Sequence, residues 1–133
     1  MKIKILIILL LFLFFSNISY SQNKATSIKP DINGIWQDIN PGVQNAVIII
    51  SEQNGTVIFS HYLEWNGHKF IESGFGKRNG NRVEYKVNVT LPIDGWATEG
   101  THFLTLSEDG NTLEGHYKDN KNREGPIAFK RIK

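Results

Sequence analysis

Turn-forming dipeptides recur at short intervals from residue 33 to residue 110, and this spacing constrains the fold more than any other feature of the chain. Glycine, and less readily Asn and Asp, adopt the positive φ angles that tight hairpins need. The runs between these dipeptides are short and rich in Val, Ile, Thr, Phe and Tyr, which is typical of consecutive antiparallel strands. The dipeptides are Asn33-Gly34, Pro41-Gly42, Asn54-Gly55, Asn66-Gly67, Asn79-Gly80, Asp94-Gly95 and Asp109-Gly110.

The pattern predicts an all-β domain of eight strands with no helix. Because no connection is long enough for the crossovers that parallel strands require, we expect sequential antiparallel pairing. Eight such strands favour an up-and-down barrel, which removes exposed sheet edges. A two-sheet sandwich is the structural alternative. The predicted strands are 34–39, 45–52, 56–65, 68–77, 82–91, 100–107, 112–119 and 125–132.

Alternation along each strand assigns side chains to the inner or the outer face. In the third strand His61 shares its face with apolar neighbours, and in the sixth His102 does the same. Tyr85, Tyr117 and Arg131 are placed inside by the same rule in strands five, seven and eight. Since polar side chains are costly to bury unpaired, we expect hydrogen bonds among them or a cavity that they line.

Gly34 and Trp36 open the first strand as a Gly-x-Trp motif, and Arg131 lies in the last strand. With eight strands, this combination resembles the calycin superfamily, which includes lipocalins, fatty-acid-binding proteins and avidins. The resemblance implies an eight-stranded barrel in which the Trp packs across one end and the Arg lies against it. It also implies an internal site for a small ligand, although the residues expected of a biotin site are not found.

The N-terminus has the order of charged, apolar and small residues that is typical of a secretory leader. Lys2 and Lys4 precede an uninterrupted apolar run from Ile5 to Phe15, and Ser21 provides a small residue for cleavage. The apolar run is shorter than the roughly 20 residues that a membrane-spanning helix needs. We therefore expect a signal peptide over residues 1–21, no membrane anchor after cleavage, and export to the periplasm or the medium.

We expect residues 22–30 to form a flexible polar segment and residues 31–133 to form the barrel domain. The whole chain has 15 Lys and Arg against 13 Asp and Glu, but the leader removes two lysines and no acid. The mature chain is therefore formally neutral, which argues against nucleic-acid binding. It contains no cysteine, so neither disulfides nor thiolate chemistry is expected.

The leading functional hypothesis is a lyase or dehydratase that acts on uronate-containing oligosaccharides by β-elimination, without a cofactor. The chain is similar to small oligosaccharide lyases and dehydratases of polysaccharide-degrading bacteria in size and export alone. Elimination needs a base, an acid and a cation for the substrate carboxylate. The catalytic candidates are His61, His102, Tyr85 and Tyr117, and the substrate-binding candidates are Arg82, Lys86, Arg131, Trp65 and Trp96.

Two other functions remain open at this stage. One is a lipocalin-like carrier of a small apolar ligand, and the other is a protease-inhibitor-like interaction protein. Packing alone also accounts for inward His and Tyr residues, and Trp96 could simply plug the barrel. Neither a serine hydrolase nor a zinc site is supported by the spacing. Glycoside hydrolysis needs two facing carboxylates, and the predicted inner faces contain none in mid-strand unless Asp38 and Glu72 are exceptions.

Overall fold

A computed structural model of the protein describes residues 29–132 and shows a closed antiparallel barrel of eight strands joined in chain order. The strands are β1 (Gly34–Asp38), β2 (Gln44–Gln53), β3 (Thr56–Trp65), β4 (His68–Asn79), β5 (Arg82–Val89), β6 (Glu99–Leu106), β7 (Thr112–Asp119) and β8 (Glu124–Arg131). The predicted leader at 1–21 and most of the segment at 22–30 lie outside the described residues. Within the described part of the chain no helix is long and apolar enough to cross a membrane.

Pairing between the first and last strands closes the barrel. Trp36 lies opposite Arg131, and Asp38 lies opposite Phe129. The predicted up-and-down barrel is confirmed, and the sandwich alternative is wrong because every strand has two hydrogen-bonded neighbours. Strand ends differ from the predicted ones by a few residues. For example, β5 ends at Val89 rather than at residue 91, before the turn that carries Pro92.

The inner faces predicted by alternation are confirmed for strands with a clear two-residue period. The β5 face is buried at Val83, Tyr85, Val87 and Val89, and its other side chains are exposed. In β3, His61 is buried in line with its apolar neighbours. A bulge in β2, where Asn45 has a φ of 49°, lies near one barrel end and leaves these faces unchanged.

One end of the barrel is sealed by the chain that precedes β1. Ile32 is fully buried there, and its carbonyl accepts a hydrogen bond from Nε1 of Trp36 at 3.0 Å. The guanidinium of Arg131 lies 4.2 Å from the centre of the Trp36 ring, a favourable cation–π distance. Arg131 also donates to the carbonyls of Gly110, Asn33 and Asp31. The expected packing of Trp36 against Arg131 at a barrel end is thus observed.

Candidate functional site

A cavity of about 390 Å³ opens at the barrel end opposite the seal. The connections β1–β2, β3–β4, β5–β6 and β7–β8 surround its mouth, since the residues that line it include Val43, Trp65, Trp96 and Arg123. Its walls are mainly apolar, with Leu63, Val87, Ala97, Pro126 and Ile127 among the lining residues. This size and character match those of small-molecule sites, which are concave and apolar with a few polar groups.

A buried charged cluster of Asp38, His61 and Glu72 contributes to the lining of the cavity. Nε2 of His61 lies 3.2 Å from Oδ2 of Asp38, and Nδ1 lies 3.4 Å from Oε2 of Glu72. Neither contact is aligned as a hydrogen bond, so both ring nitrogens lack a well-directed partner. The imidazole is held between two carboxylates by charge rather than by hydrogen-bond geometry.

The charges of this cluster stabilise one another. Burial alone would lower the pKa of His61, but the close contacts and negative charges of Asp38 and Glu72 outweigh it and raise that pKa. Burial would likewise raise the pKa of Glu72, but His61 and a hydrogen bond from Trp96 lower it overall. Both shifts favour an imidazolium facing a Glu72 carboxylate at neutral pH.

Neighbouring groups fix both carboxylates in place. Nε1 of Trp96 donates to Oε1 of Glu72 at 2.7 Å, while the ring of Trp96 packs 5.1 Å from that of Trp65. Oδ1 of Asp38 accepts from the backbone N–H of Asn40 at 2.8 Å and from its side chain at 2.6 Å. The cluster is therefore preorganised by residues at the cavity mouth.

His102 is the second buried histidine at the cavity, and its surroundings differ from those of His61. Its Nδ1 is hydrogen-bonded to the hydroxyl of Tyr85 at 3.1 Å. Burial lowers the pKa of His102 to about 4, with the positive charge of His61 acting in the same direction. His102 is thus neutral near pH 7. Tyr85 stays protonated because burial raises its pKa well above the usual value.

The structure brings most of the predicted site residues to the cavity. His61, His102, Tyr117, Trp65 and Trp96 contribute to its lining. Tyr85 is fully buried behind His102 and reaches the site through its hydrogen bond.

The three predicted substrate-binding cations lie elsewhere. Arg82 and Lys86 are exposed on the outer face of β5, and Arg131 belongs to the sealed end. Arg131 lies on the inner face as predicted, but its guanidinium stacks on Trp36, away from the cavity. The cations at the mouth are instead Lys118 and Arg123.

Both mouth cations are paired with acids. Nζ of Lys118 lies 3.4 Å from a Glu124 carboxylate oxygen, and Nε of Arg123 donates to Oδ2 of Asp119 at 2.7 Å. In the described residues 29–132, no group of three or more His, Asp and Glu side chains is arranged to hold a metal ion.

The chain was also compared with known proteins: no family model, curated protein or solved structure matches it.

Proposed function

We propose that this protein binds a small, mainly apolar molecule that enters through the open end of the barrel. The observation that carries the proposal is the cavity of about 390 Å³, which has apolar walls and a charged cluster among its lining residues. Eight-stranded barrels are just wide enough to hold one small ligand. This is the carrier function that the sequence left open, and it needs no catalytic step.

The contrast between the two barrel ends supports this proposal. Ile32, Trp36 and Phe129 are fully buried at or near the sealed end, where the packing resembles an ordinary core. A barrel filled only for stability would continue such packing to the other end. Instead, buried polar side chains face open space there.

Two broader properties are part of the same proposal. We assign the barrel to a calycin-like type because Gly34, Trp36 and Arg131 occupy its sealed end in the arrangement that the resemblance implied. We place the protein outside the cytoplasm because of the leader-like residues 1–21. An exported barrel of this type suits the capture or transport of a sparingly soluble compound.

Binding can be tested with N-phenylnaphthylamine, a fluorescent probe that is uncharged at neutral pH and brightens in apolar surroundings. Residues 22–133 should enhance its emission in a saturable manner. Val87 lines the cavity, so Val87→Phe should fill part of the space and weaken binding by about tenfold or more. Asn88→Phe is the matched control, because the next residue points outward.

The expected result is saturable binding by the wild-type protein and by Asn88→Phe, with a clear loss in Val87→Phe. Circular dichroism of each variant would verify that the barrel is intact. Absence of probe binding to the wild-type protein, or equal binding by the two Phe variants, would contradict the proposal.

We propose β-elimination from uronate-containing oligosaccharides as a second candidate function, on the strength of His102. A neutral imidazole at a cavity can accept the proton next to a carboxylate, while the protonated His61 can supply one to the departing oxygen. The C–O bond breaks as the C=C bond forms, so no oxidant or reductant is needed. Lys118 or Arg123 would have to receive the substrate carboxylate at the mouth.

Ultraviolet absorbance tests this second candidate, because the product contains an alkene conjugated to a carboxylate. Uronate-ended oligosaccharides should give a rising signal with the wild-type protein and none with His102→Gln. His116→Gln is the control, since His116 is partly exposed on β7 and does not line the cavity. A flat trace with the wild-type protein across the panel would eliminate this candidate and leave the binding function untouched.

A further inference from the structure

We infer that the ligand of this cavity carries a positively charged amine-type head on an apolar body, an inference that rests on the proposed binding function. It follows from the charge of the side chains that line the cavity and from the aromatic groups around them.

The cluster holds more negative than positive charge. Asp38 and Glu72 contribute two carboxylates, whereas His61 contributes a single positive charge when protonated. The side chains of Asp38, His61 and Glu72 are only 3%, 2% and 7% exposed, respectively. Water therefore screens the excess negative charge poorly. One negative charge is therefore left to be balanced at the cavity.

Other cations among the lining residues do not supply this balance. Lys118 and Arg123 are at the mouth, each is already paired with an acid, and their side chains are 57% and 43% exposed. His102 adds no charge near pH 7, because burial keeps it neutral. The described residues thus leave the balancing charge to a bound molecule.

The walls of the cavity suit a cation with an apolar body. Trp65, Trp96 and Tyr117 present aromatic rings to the same space, and the faces of such rings attract cations. Trp96 also donates to Glu72, which ties an aromatic wall directly to the acidic cluster. Leu63, Val87 and Ile127 provide apolar surface for the remainder of the ligand.

An anionic head would meet the opposite conditions. It would be placed in the same poorly screened space as two carboxylates, with only His61 to oppose them. Burying a further unpaired negative charge is strongly unfavourable. The cavity should therefore discriminate by the charge of the head group and favour amine over alcohol, and alcohol over carboxylate.

Three probes with one apolar skeleton test this order. Phenylbutylamine, phenylbutanol and phenylbutanoate would each be titrated against bound N-phenylnaphthylamine at neutral pH. We expect the amine to displace the dye at a concentration about tenfold or more below that of the alcohol, and the carboxylate to be the weakest competitor.

A pair of double variants locates the origin of the preference. Asp38→Asn with Glu72→Gln removes both carboxylates while preserving their size, and should bring the amine to within a few-fold of the alcohol. Glu84→Gln with Glu114→Gln makes the same change in net charge on the exposed outer surface. This control should retain the full preference of the wild-type protein.

The outcomes separate the inference from the binding function. If the dye does not bind the wild-type protein, the proposed function itself fails. If the dye binds but the alcohol or the carboxylate competes as well as the amine, or no amine competition is seen, the inference is overturned and binding stands. Equal head-group preference in the two double variants would also overturn the inference. This comparison requires only that both variants still bind the dye.

Discussion

The pKa values of the two buried histidines at the cavity are shifted in opposite directions, although both residues belong to the same barrel interior. His61 lies between Asp38 and Glu72, whose negative charges overcome the effect of burial and raise its pKa. His102 has the hydroxyl of Tyr85 as its hydrogen-bond partner, so burial dominates and its pKa falls to about 4. Local partners, rather than depth of burial, decide which histidine is charged.

This contrast predicts an acid-sensitive fold. Below its ordinary pKa of 6.5, His102 takes up a proton in the unfolded chain but not in the native one, so stability falls as the pH falls. Between pH 6.5 and about pH 5 the loss should be about 1.5 kcal/mol. Urea unfolding at several pH values measures it, and His102→Gln should abolish this part of the slope.

His61 provides a contrast to His102 in that experiment, because its pKa is shifted in the opposite direction. With a raised native pKa, its contribution is complete below pH 6.5 and is lost as the pH rises through the native pKa. His61→Gln should therefore flatten the alkaline side. It should also weaken the acid slope, because the positive charge of His61 helps to lower the pKa of His102. An unchanged acid slope in His102→Gln would contradict the assignment of His102 as a buried neutral group.

At the residue scale, the sequence predicts both histidines but does not settle their partners. Alternation in β3 and β6 is clean, so His61 and His102 are placed correctly. In β4 the outward residues Ile71 and Phe75 are apolar and exposed, so the alternation of apolar and polar residues does not show that Glu72 points inward. Only the register that sets His61 opposite Glu72 resolves it.

At the scale of elements, β4 and β5 approach each other too closely for side chains at two positions. A Cβ atom on Gly74 would lie 1.8 Å from the carbonyl oxygen of Lys86, and one on Gly76 would lie 1.9 Å from that of Glu84. The absence of side chains there allows the long strand β4 to bend with the barrel wall.

Gly74→Ala should consequently lower the free energy of unfolding by about 2 kcal/mol or more, because the β4–β5 ladder must shift to accommodate the methyl group. Lys77→Ala, an exposed change on the same strand, should stay within about 0.5 kcal/mol. Thermal or urea denaturation of both variants makes the comparison. Equal stabilities would show that the strands can separate without cost.

The order of the elements is the part of the fold that the sequence predicts best. Six of the seven dipeptides mark observed connections between strands, whereas Asn33-Gly34 stands at the start of β1 and the β7–β8 connection has no such dipeptide. The close contact at Gly74 depends on the pairing register of two strands, which the residues of β4 alone do not reveal.

At the scale of the whole molecule, the barrel is asymmetric: one end is sealed and the other is open. The seal matches what the resemblance to calycins implied, namely that Trp36 packs across one barrel end and Arg131 lies against it. The open end could not be predicted in this way, since the cavity depends on how several separate connections leave space above His61 and His102.

Because the two ends differ, a methyl NMR titration of residues 22–133 with N-phenylnaphthylamine can show which end of the barrel holds the ligand. The methyl groups of Leu63, Val87 and Ile127 line the cavity, whereas those of Leu106 and Leu113 lie at the sealed end. We expect saturable chemical-shift changes that are confined to Leu63, Val87 and Ile127. Shifts that are absent, or that are largest at Leu106 and Leu113, would contradict a ligand site in the open end of the barrel.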